Sequence, residues 1–172
     1  MHPNRLFQFC PRCGRSLPSP GENPLSCPAC GFSFFFNPTV AAAAYLYNPA
    51  GEYLFIRRAK DPAIGKLAIP GGFIDIGESA EEALARETLE EVGLEIDSIE
   101  FLGSTPNNYP YRDVTYPVVD LIFRARAVNP GMALPLDAVA GLEWRRLSEI
   151  DPDELAFPSL RMGLERLLTR GY

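Results

Sequence analysis

From Ser79 to Val92 the chain carries a helical pattern whose apolar stripe runs directly into carboxylates. At about 100° per residue, Ala80, Ala83 and Leu84 share the side of the helix that packs on a sheet. Glu87, Glu90 and Glu91 fall in an arc of roughly 100° that continues this stripe. Like charges one turn apart repel, and partial burial raises the cost of ionising each. The ordinary reading is a solvated acidic face that also includes Glu78, Glu81 and Glu82. The alternative is a bound cation, since hard divalent ions such as Mg²⁺ or Mn²⁺ prefer carboxylate and carbonyl oxygen and often share protein carboxylates with substrate phosphates. Arg86, one turn before Glu90, is placed to pair with a carboxylate and hold it.

The flanks bound this helix well. Pro70-Gly71-Gly72 breaks the chain ahead of it, Glu78 or Ser79 stands near its start, and Gly93 stops it. Upstream, Val40 to Tyr47 and Glu52 to Arg58 flank the turn signal Asn48-Pro49-Ala50-Gly51 and read as an antiparallel hairpin. Ala41 to Ala44 also suit a helix, but the short segment between a proline and a turn favours a strand. Ile96 to Gly103, Pro117 to Ala127 and Leu142 to Leu147 read as further strands, and Pro158 to Thr169 as a closing helix. Such a mixture of strands and two helices predicts an α/β layered domain.

Residues 1–38 read differently, with four cysteines, many prolines and an aromatic run ending at Asn37-Pro38. The expected division is therefore a small unit over 1–38 and a main domain over 39–172. Cys10-Pro-Arg-Cys13-Gly14 and Cys27-Pro-Ala-Cys30-Gly31 are near copies, each able to point two thiolates at one ion. Four thiolates fill a tetrahedral Zn²⁺ shell, so this site is structural. A redox dithiol or two disulfides is the competing reading. His2, the only histidine, reads as a disordered terminal residue.

Composition excludes several classes. With 47% apolar and 22% charged residues the chain should fold. A net charge of -6 argues against a broad electrostatic footprint for duplex nucleic acid or anionic membrane. The longest apolar run, Val40 to Tyr47, is far short of a membrane span, and Met1 to Phe9 does not resemble a secretion signal, so a cytoplasmic location is expected.

Read from Gly72, the segment GFIDIGESAEEALARETLEEVGL resembles the Nudix box through Gly72, Glu78, Arg86, Glu87, Glu90, Glu91, Gly93 and Leu94. Thr88 departs from it, standing at a packing position where the family usually has Leu, Ile or Val. The resemblance implies a Nudix-type α/β/α sandwich with a mixed sheet, preceded by a small N-terminal zinc ribbon. It also implies a loop-helix-loop site in which Glu87, Glu90 and Glu91 bind Mg²⁺ or Mn²⁺ and the Gly72 carbonyl adds a ligand. Glu78 would orient the site or handle water, with a structural ion pair to Arg86 as its plain alternative. In such a site the ions neutralise phosphate charge and lower the pKa of a bound water.

A zinc ribbon ahead of such a domain resembles the NADH pyrophosphatase branch, which carries Ser-Gln-Pro-Trp-Pro-Phe-Pro after the box. Here Ser104-Thr105-Pro106-Asn107-Asn108-Tyr109-Pro110 keeps the serine, two prolines and an aromatic, but loses the tryptophan. Tyr109, Tyr111 and Phe35 are the candidates for stacking on a base. A further metal-binding glutamate of the family falls at Ala138, so Asp137 or Glu143 would have to replace it. The resemblance thus implies a homodimeric hydrolase that splits the phosphoanhydride of a small nucleotide substrate such as NADH or ADP-ribose and releases a nucleoside monophosphate. Two alternatives stand beside it: an RNA-end hydrolase whose ribbon contacts capped RNA, and a non-catalytic nucleotide-sensing module.

Overall fold

The computed structural model describes residues 1–172 and divides them into two compact units. One comprises Met1–Thr39 together with Asn108–Val118, and the other comprises Val40–Asn107 together with Val119–Tyr172.

The first unit has little regular structure. β1 (Leu25–Ser26) and β2 (Ser33–Phe34) pair antiparallel, with Leu25 opposite Phe34. Its core is Cys10, Leu17, Leu25 and Cys27, against which Cys30, Phe32 and Phe36 pack. Asn23 fastens the aromatic segment, donating from Nδ2 to the Phe36 carbonyl at 3.0 Å and accepting from the Phe36 amide at 2.9 Å. So few apolar groups cannot offset the chain entropy of a unit this size, and small folds of this kind are usually held by a metal or disulfides.

The main sheet comprises β3 (Thr39–Tyr47), β4 (Tyr53–Arg58), β5 (Leu67–Ala68), β6 (Gly71–Phe73), β7 (Ile96–Tyr111), β8 (Val114–Ala127) and β9 (Val139–Arg145), of which Thr39, residues 108–111 and residues 114–118 fall in the first unit. The sheet order is β5-β4-β3-β8-β7, with β6 on β3 and β9 on β4. β4 runs antiparallel to β3, β5 and β9, and a parallel bridge joins Leu67 to Leu155. β4 buries Tyr53, Leu54, Phe55 and Ile56 in succession, which requires cover on both faces of the sheet. That cover comes from α1 (Ala80–Val92) and α2 (Pro158–Arg170). α2 approaches closely because it has Gly163 there: a Cβ would lie 2.8 Å from the Tyr45 ring and 3.0 Å from Ile122. Buried Tyr45 donates its hydroxyl to the Leu160 carbonyl of the same helix.

Three expectations from sequence differ in extent. The strands expected at Ile96–Gly103 and Pro117–Ala127 are a longer hairpin, β7 and β8, which absorbs the whole Ser104–Pro110 motif. Pro106 and Pro110 lie within β7, at the end of the sheet, where one row of amides faces no partner strand and proline is tolerated. The strand expected at Leu142–Leu147 is Val139–Arg145, with Leu147 in a short 3₁₀ turn.

Thr88, the departure from the box, is fully buried on α1 beside Ala83, Leu84 and Val92, and its hydroxyl has no partner. Leaving a hydroxyl unsatisfied costs about 1–3 kcal/mol. Thr88→Val keeps the shape and removes that cost, so it should raise the unfolding free energy in urea by about 1 kcal/mol. A loss of stability would contradict the packing role assigned to this position.

Candidate functional site

The site begins where the chain leaves the sheet. β6 pairs with β3, placing Gly71 opposite Ala43 and Gly72 opposite Ala42. Gly71 has φ 147°, and a Cβ on it would meet the Ala42 carbonyl oxygen at 2.3 Å. Gly72 meets a different constraint: a Cβ there would lie 2.4 Å from Oε1 of Glu87. A side chain at either position would displace the loop or the carboxylate.

The loop then delivers α1. Ser79 is the N-cap, accepting from the Glu82 amide at 3.2 Å, while the Glu82 carboxylate accepts from the Ser79 amide at 2.8 Å. This reciprocal cap sets the first turn and the phase of every later residue. Gly93 closes the helix in the left-handed conformation, its amide bonded to the Leu89 carbonyl. The segment that follows Met132 satisfies the remaining end: Leu134 donates to Val92 O at 3.0 Å, Leu136 to Glu91 O at 2.9 Å and Asp137 to Glu90 O at 3.4 Å.

Arg86 organises the acidic groups. Its Nε and one terminal nitrogen take both oxygens of Glu78, at 2.7 and 3.0 Å, and that nitrogen also donates to the Phe73 carbonyl at 3.1 Å. The other terminal nitrogen reaches Glu87 at 2.8 Å and Glu90 at 3.2 Å. The expected pairing one turn away, to Glu90, is therefore only one of several, and the bidentate contact is to Glu78. Hydrogen bonds from Arg86 hold the Glu78 carboxyl down at about 2, with the Asp75 amide assisting.

Glu91 lies apart from that hub. Its carboxylate accepts from the Gly71 amide at 3.0 Å, and burial pushes its pKa up to about 8. The charges of Glu87 and Asp137 add to this rise, and Arg58 opposes it. Glu87 is half-buried against Gly72, whereas the Glu90 side chain is 56% exposed. The helix thus presents two half-buried carboxylates and one solvent-facing one rather than three inward ones. The donor set is all carboxylate oxygen beside backbone carbonyls, and Glu91 has an uncompensated charge cost, a combination that suits a hard divalent cation.

The two downstream acids have separate roles. Asp137 is close enough to act on Glu91 through its charge, and it pairs with Lys60 at 2.9 Å on an exposed surface. Glu143 on β9 sits opposite Phe55 and is held by Arg57 at 2.6 Å and Arg145 at 3.8 Å. Ala138 has φ 56°, so the backbone turns sharply just after Asp137. Lys60 and Arg58, both absent from the sequence reading, carry no motif that would single them out.

The aromatic candidates fall elsewhere. Phe35, Tyr109 and Tyr111 all belong to the first unit, with Phe35 62% and Tyr111 47% exposed. Asn107, standing where a tryptophan was expected, donates to Asp120 at 2.9 Å across the β7–β8 hairpin. Also in the first unit, the four cysteine sulfurs lie within 4.8 Å of one another. Cys10–Cys30 and Cys13–Cys27 sulfurs are 3.7 and 3.8 Å apart. A tetrahedral zinc site with Zn–S bonds of about 2.3 Å has edges of about 3.8 Å. The glycine amides after each knuckle, Gly14 and Gly31, donate to the carbonyls of Cys10 and Cys27 at 2.9 Å, closing the two turns.

Comparison with known proteins follows the same lines. The chain is 27% identical over 149 residues to the NAD-capped RNA hydrolase NudC of Pseudomonas aeruginosa, covering 86% of this chain and 51% of that one. The corresponding protein of Pseudomonas fluorescens strain Pf-5 is 30% identical over 108 residues, covering 62% of this chain and 38% of that one. This chain spans about half the length of the curated relatives it matches. Among solved structures, a NUDIX hydrolase from Nitrosomonas europaea superposes with a TM-score of 0.73 at 24% identity, covering 96% of this chain and 92% of that one. A MutT NUDIX hydrolase from Burkholderia pseudomallei gives 0.65 at 25% identity, covering 76% and 98%. The NUDIX domain family model matches residues 37–165, most of the length, and the chain belongs to that family.

Proposed function

We propose that the chain is a divalent-metal-dependent hydrolase that splits the phosphoanhydride bond of a nucleoside diphosphate joined to a second moiety, releasing a nucleoside monophosphate. The observation that carries this reading is the pair of half-buried carboxylates, Glu87 and Glu91, pressed against the Gly71-Gly72 backbone. Glu87, Glu90, Glu91 and the Gly72 carbonyl would hold Mg²⁺ or Mn²⁺. When bound, such ions neutralise phosphate charge and lower the pKa of water.

The chain's own residues do the positioning. Arg86 restrains Glu78, Glu87 and Glu90 at once, so their oxygens stay oriented before substrate arrives. The Gly71 amide fixes one oxygen of Glu91 and leaves the other free to ligate. Asp137, near Glu91, is the better replacement for the family's downstream glutamate, because its charge acts on Glu91 and its one ion pair is to exposed Lys60, whereas Glu143 is engaged by two arginines. The four thiolates would hold one structural Zn²⁺, in line with the sulfur spacing.

For the substrate, the similarity to proteins described as NAD-capped RNA hydrolases supports an NAD-type dinucleotide, free or at an RNA end. Asn107, tied to Asp120, offers no stacking surface, and Tyr109, Tyr111 and Phe35, all in the first unit, stay candidates for stacking on a base from the sequence alone.

A product-analysed screen of dinucleotides, nucleotide sugars and capped RNA with Mg²⁺ should yield a nucleoside monophosphate from at least one. Glu91→Gln should lower that turnover by at least about a hundredfold, a loss typical of removing a key electrostatic group, while the fold is retained. Turnover like that of the parent protein would contradict the assignment.

Glu91 also predicts how metal and pH combine. Its carboxyl is raised to about 8 in the metal-free fold, so the fold favours the protonated form and loses stability as pH rises from the ordinary range of about 4.5 through 8. A divalent ion binds the ionised form. The Mg²⁺-induced rise in melting temperature should therefore be larger at pH 8.5 than at pH 5.5, and Glu91→Gln should remove it. An equal shift at both pH values would argue against Glu91 as a ligand. For the ribbon, Cys27→Ser should release zinc, measured by elemental analysis, and unfold the first unit by NMR; full zinc retention would contradict the four-thiolate site.

A further inference from the structure

The first unit contains a cavity of about 780 Å³, within the roughly 300–1,000 Å³ range of small-molecule sites. None of its lining residues belongs to the box helix or to the cysteine knuckles. Phe7, Phe34 and Phe36 form one aromatic wall: Phe36 meets Phe34 edge-on at 5.1 Å and Phe7 at 5.2 Å. Asn23, whose amide is spent on the Phe36 backbone, holds that wall in place. Tyr116 lines it as well. Phe34 is 46% exposed and lines the cavity.

The polar lining has one sign. Arg5 and His2 line the cavity, and no acidic residue does. Asn37 and Thr39 add an amide and a hydroxyl able to donate and accept. Across the unit Arg5, Arg12, Arg15 and Arg112 outnumber Glu22 and Asp113, an excess that offsets the two negative charges of a four-thiolate zinc site. Aromatic faces beside an arginine, in a lining with no acidic residue, favour a ligand that combines a flat π system with an anion. His2 stands at the N-cap position of a short 3₁₀ turn at Pro3–Leu6 and lines this cavity.

We propose that this cavity binds a nucleoside monophosphate unit, its base against the Phe34–Phe36 wall and its phosphate toward Arg5. The unit is either a free mononucleotide or one nucleotide of a single-stranded RNA. The inference deepens the proposed function by giving the ribbon unit a role in holding a nucleotide, and it rests on that reading only for the source of the ligand.

The test uses the full zinc-loaded chain and a short 5′-hydroxyl single-stranded oligoribonucleotide carrying a 3′ fluorophore. This probe has no phosphoanhydride, so its binding is independent of whether the hydrolase reading holds. Anisotropy should show salt-sensitive binding to the oligoribonucleotide, or AMP should bind by calorimetry if the ligand is a free mononucleotide. Phe34→Leu, which keeps an apolar side chain but removes the π face, should weaken that binding at least about fivefold. Arg5→Gln should weaken it too, and on the RNA arm should lower the slope of log affinity against log salt by about 0.7, the value for one phosphate contact on a single strand. Zinc content and dinucleotide turnover should be unchanged in both variants. Absence of binding by both probes would overturn the proposal, as would binding that neither substitution alters. A change of oligomeric state in Phe34→Leu with ligand binding intact would overturn it as well, and would identify the cavity as a protein interface.

Discussion

One guanidinium carries much of the electrostatic order in the second unit. Arg86 bonds Glu78 through two of its nitrogens, reaches Glu87 and Glu90 with the third, and returns to the Phe73 carbonyl of the preceding loop. Without it, Glu78 and Glu87 would be half-buried like charges, and the helix would pull away from the loop it serves. With it, loop and helix are one charged assembly whose shape is set before any ligand arrives. The glycines complete the arrangement, since the Glu87 carboxylate occupies the space a side chain at Gly72 would need.

This hub compensates three of the four box glutamates and leaves Glu91 to the Gly71 amide and the more distant charge of Arg58. That asymmetry is chemically useful. A group with its charge already satisfied orients its neighbours, whereas a group paying for its charge gains most from a cation. The metal-binding reading therefore rests chiefly on Glu91 and Glu87, with Glu90 reachable from solvent.

Much of this was legible in sequence because the relevant signals are local. The cap at Ser79, the stop at Gly93 and the spacing of Arg86 and the glutamates all act within a few residues, and the helix is found where they put it. The turn at Asn48 was equally readable, its side-chain oxygen accepting from the Ala50 and Glu52 amides. Nonlocal features were not. The length of β7 depends on its edge position, which lets Pro106 and Pro110 stay in a strand. Lys60 meets Asp137 only after the chain has folded, and the exposure of Glu90 depends on what surrounds the helix. In the first unit the paired knuckles foretold the sulfur cluster, but the cavity in the same unit is assembled from residues far apart in sequence, such as Phe7 and Tyr116.

In the proposed site the Gly71-Gly72 loop and the box helix together bind a divalent cation. The most direct test is an anomalous difference map from crystals soaked in Mn²⁺, recorded at the manganese edge. A peak is expected within direct coordination distance of the Glu87 and Glu91 carboxylates and the Gly72 carbonyl. Well-ordered carboxylates with no peak between them, in crystals of a protein that still turns over substrate with Mn²⁺, would contradict it.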